Sequence, residues 1–263
     1  GVRLDETTDY QLFFYLLVVF VVVYSVFPFY WAVISSFQPS DALFSPDPSF
    51  LPVPFTLEHY ENVFLQANFG RNLLNSLIVA GGATLLAALF GVPLGLWLAL
   101  RGGGGVWGRV LLYSGLALPS VVVGLLFYLL LSRSGPLGFL NLLYTPWAMV
   151  LAEATLAFPL IAAFVLSGAR GRVEEVRLLV RSLGGKERHV LPTLLAESRR
   201  TLAAALAAGF GGAISEVGAA TLVGGDIRHH TRVLTTAIVV ETRMGELHAA
   251  LALGAVLLGI ALL

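Results

Sequence analysis

Six long apolar runs divide the chain, at residues 12–35, 72–100, 110–131, 145–167, 201–223 and 247–263. Each approaches or exceeds the roughly 20 residues that a helix needs to cross the hydrocarbon core of a bilayer. Inside that core no water can satisfy backbone N–H and C=O groups, so such runs are expected to be helical. With 57% hydrophobic and only 12% charged residues, the chain has too little polar surface to cover a soluble globule of 263 residues. The expected fold class is therefore an all-α membrane protein with six transmembrane helices. The last run is short and no charged residue closes it, which leads to the expectation that the natural protein continues past Leu263.

The first run lacks the basic start and small-residue cleavage site of a secretory signal, and contains Phe27-Pro28-Phe29-Tyr30-Trp31. It reads as a retained helix with an aromatic interfacial end. Orientation follows from basic residues, which mark cytoplasmic connections. Arg101 and Arg109 follow the second run, and Arg170, Arg172, Arg177, Arg181, Lys186, Arg188, Arg199 and Arg200 follow the fourth. Those last eight are half of the 16 basic residues, and they decide the orientation. Residues 37–71 hold Arg71 against Asp41, Asp47, Glu58 and Glu61, and residues 132–144 hold only Arg133. Both termini are thus expected in the cytoplasm, although the N-terminal tail offers only Arg3 against Asp5, Glu6 and Asp9.

Two connections carry structure of their own. Pro39, Pro46, Pro48, Pro52 and Pro54 bar a long helix from the first half of 37–71. Thr56 then offers an N-cap to a short helix with Leu57, Tyr60 and Phe64 at helical spacing. Residues 173–195 read as helix, turn, helix around Gly184-Gly185. The pattern places Glu174, Arg177, Arg181 and Arg188 near one side and Val176, Val180 and Leu183 on another, as in an element lying against a surface.

Few residues point to chemistry. No cysteine is present, which excludes disulfides, thiolate metal sites and cysteine nucleophiles. Balanced charge, 16 basic against 16 acidic residues, gives no reason to expect nucleic-acid binding. Gly103 and Gly108 have phosphate-loop spacing, but Arg109 replaces the lysine and no Ser or Thr follows, so a turn is expected and no nucleotide site. The histidines, at 59, 189, 229, 230 and 248, show no metal-ligand spacing. Asp226, His229 and His230 are close enough to hold a cation, yet a solvated loop explains them as well, and no metal is expected. Glu153 and Glu216 lie inside apolar runs, where an acid either lines a polar pathway or locks two helices together by hydrogen bonding. Around Glu216, small residues from Gly209 to Ala220 permit close helix approach, and Ser215 and Thr221 add hydroxyls.

From about residue 92 onward the chain resembles the permease subunits of tungstate importers, a branch of the ABC importers that includes molybdate and sulfate permeases. The resemblance rests on Leu118-Pro119-Ser120-Val121-Val122-Val123-Gly124, Ser132-Arg133-Ser134-Gly135-Pro136-Leu137-Gly138, Ala213 to Ala219, Val223-Gly224-Gly225-Asp226-Ile227, and Thr231 to Thr242. Residues 27–37, the proline-rich loop, Phe55-Thr56-Leu57-Glu58-His59-Tyr60 and Phe69 to Ala80 resemble sugar-importer permeases instead, as if two branches of one superfamily joined within the second run.

The resemblance implies a type I ABC importer permease in a bacterial or archaeal plasma membrane, working by alternating access. Its organisation would be a tail and outer helix (1–36), an extracytoplasmic loop (37–71) and a permease core (72–263) with a cytoplasmic coupling loop (168–200). Implied partners are an ABC ATPase that consumes ATP, an extracytoplasmic substrate-binding protein and a second permease copy; the chain itself would bind no cofactor and be no enzyme. In this group the coupling loop begins Glu-Ala-Ala with a glycine six residues later. Gly184, with Gly185 beside it, matches the glycine, whereas Leu178 and Leu179 replace the Glu and first Ala, leaving Glu174 and Glu175 one turn earlier to serve. Ser215, Glu216 and Thr221 are the expected substrate-pathway residues, the hydroxyls toward an oxyanion and Glu216 in a structural or gating role. A sugar permease, a non-transporting scaffold or chimera, and a membrane enzyme built on Glu153, Glu216 and histidines are the competing readings.

Overall fold

The computed structural model describes residues 6–47, 49–65, 69–102 and 105–262. The side chains of residues 6–9 and 44 are outside the described part, as are Arg3 and Asp5 of the tail, Pro48, and Gly103 of the glycine run.

Three apolar helices are long enough to cross a membrane unbroken. They are α1 (Glu6–Ser35), α3 (Phe69–Leu100) and α6 (Pro146–Arg170). Between the first two lies α2 (Glu58–Leu65), whose first turn is capped as the sequence suggests: Glu58 N–H donates to Thr56 Oγ1 at 3.1 Å. Tyr60 stacks on Phe37 at 5.0 Å and its hydroxyl meets Ser36 Oγ at 2.7 Å, fastening α2 to the end of α1. Most of α1 otherwise exposes its apolar side chains, as a helix facing lipid would.

The third and fifth apolar runs depart from the expectation of continuous helices. The third is α4 (Gly105–Gly115) and α5 (Ser120–Leu131), bent by 87°. The fifth is α9 (Arg199–Ile214) and α10 (Gly218–Gly224), bent by 60°. Counting each bent pair as one gives five candidate spans, and α12 (Leu247–Ala261) adds an apolar helix of only 15 residues. Pro119 is one cause, having no N–H to continue α4. The intervening groups are satisfied by tight turns, Leu116 N–H to Tyr113 O at 3.1 Å and Ala117 N–H to Ser114 O at 3.1 Å.

The centre is α3 against α6. The two run parallel, since Gly82, Gly91 and Gly95 of α3 meet Val150, Ile161 and Val165 of α6 in that order. Gly95 leaves no room for a side chain: a Cβ there would stand 2.7 Å from Ala162 O. Without a hydrophobic force between helices in lipid, such close approach is what supplies dispersion contact. Leu100 and Arg170 consequently end on the same side of the molecule, which carries the basic connections. That side also holds α7 (Val173–Ser182) and α8 (Val190–Glu197). The remaining helix, α11 (Leu234–Met244), packs with α12 around Leu234, Ala237 and Leu253.

Candidate functional site

The break between α9 and α10 places Glu216 on the wall of a small cleft. Ser215 ends α9 with its N–H on Gly211 O, and Val217 precedes the first residue of α10. Glu216 Oε1 accepts the Ala219 N–H at 3.1 Å, satisfying a donor that the interrupted helix would leave free. The carbonyl of Glu216 accepts a hydrogen bond from Thr235 Oγ1 at 2.8 Å, which ties the break to the start of α11.

Ser215 and Thr221 are near this break, but the bend separates them and their protons are committed elsewhere. Ser215 Oγ donates to Gly211 O at 2.8 Å, and Thr221 Oγ1 to Val217 O at 2.7 Å. Each hydroxyl is folded back on its own helix, leaving acceptor lone pairs outward. The two hydroxyls therefore belong to two helices rather than to one continuous span, because residues 215–217 leave the helix.

The cleft itself is lined by Ser76, Glu153, Glu216 and Thr235 among Val79, Ala213, Ile214 and Val233, with a volume of about 10 Å³. That is room for about one water molecule. Glu153 on α6 is 3% exposed, and its Oε2 has no hydrogen-bond partner. Ser76 Oγ accepts Leu234 N–H at 2.8 Å, and one residue earlier Asn75 Nδ2 donates to His230 O and Arg232 O. Ser76 and Thr235 were not singled out from the sequence. Their signal was the polar pairs Asn75-Ser76 and Thr235-Thr236, each beginning or interrupting an apolar helix. Asp226, weighed as a metal ligand, instead pairs with Arg232 at 3.0 Å; among the described residues no three His, Cys, Asp or Glu gather as a metal site would require.

A second site forms on the basic side. The end of α7 is a Schellman turn, in which Gly184 N–H reaches Arg181 O at 3.0 Å and Gly185 N–H reaches Val180 O at 2.8 Å. Gly184 takes φ 72°, open to glycine without strain, and a Cβ on Gly185 would meet Val180 O at 2.8 Å. Arg177 bridges Glu174 at 2.5 Å and Glu187 at 2.9 Å, and the hydrogen bond from Arg177 holds the Glu187 carboxyl below the usual carboxylate range. Glu175 is exposed. Two details differ from the helical pattern. Arg188 points to His189 rather than joining the Glu174–Arg177 side, and Leu183 is 79% exposed, because the chain has left the helix there, instead of lying with buried Val176 and Val180. Leu178, Leu179 and Leu183 form an exposed apolar group beside the turn.

No family model matches the chain. It is 41% identical over 185 residues, 70% of its length, to a tungstate uptake system permease protein of Peptoclostridium acidaminophilum, of which 81% is covered. It is 40% identical to a probable anion ABC transporter permease protein of Haloferax volcanii, over 71% of this chain and 83% of that one. A bacterial ABC transporter involved in the import of the acidic polysaccharide alginate shares the fold, with a TM-score of 0.58 and 15% identity over 99% of this chain and 94% of that one.

Proposed function

The chain belongs to the ABC transporter permeases, and from that premise we propose that it is the membrane subunit of an ATP-driven importer for tungstate or a related oxyanion. The observation that carries the substrate class is the 41% identity to a tungstate uptake permease across 81% of that protein. An ABC ATPase, a substrate-binding protein and a second copy of this chain are the partners, and the ATPase consumes the ATP. The side bearing Arg101, Arg170 and the α7–α8 connection faces the cytoplasm, which puts both termini there.

The cleft at the α9–α10 break is the closed part of the path. At about 10 Å³ it is too small for a tetrahedral oxyanion, so passage requires α9 and α10 to move against α3 and α6. A carboxylate at Glu216 would repel the anion, which suits Glu216 to gating and helix capping and leaves hydroxyls and backbone N–H groups to touch substrate. Ser215 and Thr221 contribute once their back-bonded protons are released. Motion is delivered through the turn at Gly184 and Gly185, with Glu174 and Glu175 on the preceding helix, where exposed Leu178, Leu179 and Leu183 suit a groove on the ATPase.

Uptake into vesicles reconstituted with the cognate ATPase and binding protein tests the reading. ATP-dependent accumulation of tungstate is expected. Accumulation of a sugar without tungstate or molybdate would overturn it.

A further inference from the structure

Apart from the path and the turn at Gly184, α4 and α6 flank a second, open cleft of about 430 Å³ near their basic ends, lined by Arg109, Tyr113, Leu166, Ser167, Arg170 and Gly171. Arg109 and Tyr113 are four residues apart on α4, and Leu166 and Arg170 four apart on α6, so each helix offers one face to the space. No acid lines it. Among the described residues neither guanidinium has a carboxylate within 4.0 Å, and the hydrogen bond found for Arg109 goes from Nε to Gly105 O at 3.2 Å, leaving its two terminal nitrogens available.

The geometry points to a binding site for a phosphate-type oxyanion, supplied by the headgroup of an anionic phospholipid. Two guanidiniums converging on one space match the oxygens of a phosphodiester, since each can donate in a planar fork. The Tyr113 and Ser167 hydroxyls lie on the same walls and can serve glycerol oxygens. What favours a lipid over a free anion is the setting. The cleft opens between two apolar helices at their ends, and the same stretch of α4 exposes Val110 and Leu111, the latter by 73%, as a surface for acyl chains. Basic pockets between membrane helices are a recurrent way of holding such headgroups. Because α4 is the half-span that bends away by 87° from α5, a lipid bridging Arg109 and Arg170 would brace α4 against α6.

The full chain, purified in detergent and stripped of lipid, is titrated with phosphatidylglycerol and, in parallel, with phosphatidylcholine of the same chain length, with retained lipid counted by native mass spectrometry. Two arginines predict a preference for phosphatidylglycerol of about 30-fold. Arg109→Gln with Arg170→Gln should abolish it. Ser167→Glu, which puts a carboxylate on the cleft wall to occupy the guanidiniums and repel a phosphate, should abolish it too and guards against a folding defect in the double variant. Equal retention of the two lipids by the native chain, or a preference surviving in either variant, overturns the site. A further arm adds sodium tungstate or inorganic phosphate to the delipidated chain. No binding that depends on Arg109 and Arg170 is expected, and such binding with displacement of the lipid would make the ligand a free oxyanion and overturn the lipid assignment. None of these arms uses ATPase or transport, so their failure leaves the importer reading standing.

Discussion

Thr235 and Thr221 have the same functional group and different parts in holding the fold. Thr235 Oγ1 reaches across to the carbonyl of Glu216 at 2.8 Å, the residue at which the fifth span breaks, and is 4% exposed. Thr221 bonds the carbonyl of its own helix and is exposed. Thr235→Val keeps the volume but leaves a carbonyl acceptor without its partner in a confined place, which costs about 1–3 kcal/mol. Thr221→Val should change stability by no more than about 0.5 kcal/mol. Thermal unfolding in detergent compares the two, and equal midpoints would mean that the break does not depend on this link. Residue identity was readable in the sequence for Glu216, an acid in an apolar run. It was not readable for Ser76 or Thr235, whose roles arise only when α3 and α11 are brought to the break by tertiary packing. Glu153 was visible as an intramembrane acid, but its place in the same cleft as Glu216 depends on the crossing of α6 and α9.

At the level of elements, hydropathy located all the apolar runs because period and length are local properties. It could not separate a straight span from a bent one. The α4–α5 bend had a local signal in Pro119. The α9–α10 break had a weaker one, Gly211, Gly212 and Gly218 flanking it, and what fixes it is Thr235 and the Glu216 cap rather than composition. The turn at Gly184 and Gly185 shows the opposite case, since paired glycines after an amphipathic helix announce a Schellman turn directly. Gly184 has φ 72° and open space where a Cβ would be, so any penalty for substitution there is conformational rather than steric. A non-glycine residue in that region costs roughly 1–2 kcal/mol, with asparagine among the better tolerated. Gly184→Val should therefore loosen the turn and uncouple ATP hydrolysis from tungstate uptake, while Gly184→Asn keeps most of the uptake. Undiminished uptake by the valine variant, inserted in membranes at normal level, would count against this turn as the coupling element.

For the molecule as a whole, the structure carries two sides of different character, and the charge rule gives them their compartments. Parallel α3 and α6 end together beside Arg101, Arg170 and the α7–α8 connection. The opposite side gathers the loop after α1, where His248 at the head of α12 meets Ser40 O at 3.1 Å, and the 225–233 loop held by Asn75. Basic residues resist translocation, which supports the proposed orientation with the first side cytoplasmic and the second external. The absence of cysteine from the native chain makes this directly measurable, since each introduced thiol is the only one. Ser45 and Ser182 are both exposed and lie on opposite sides. In intact cells a membrane-impermeant maleimide should label Ser45→Cys and spare Ser182→Cys, and disruption of the membrane should make both reactive. Labelling of Ser182→Cys alone from outside would invert the protein, placing the turn at Gly184 where no ATPase could reach it and removing the physical basis for coupling along with the assigned direction of transport.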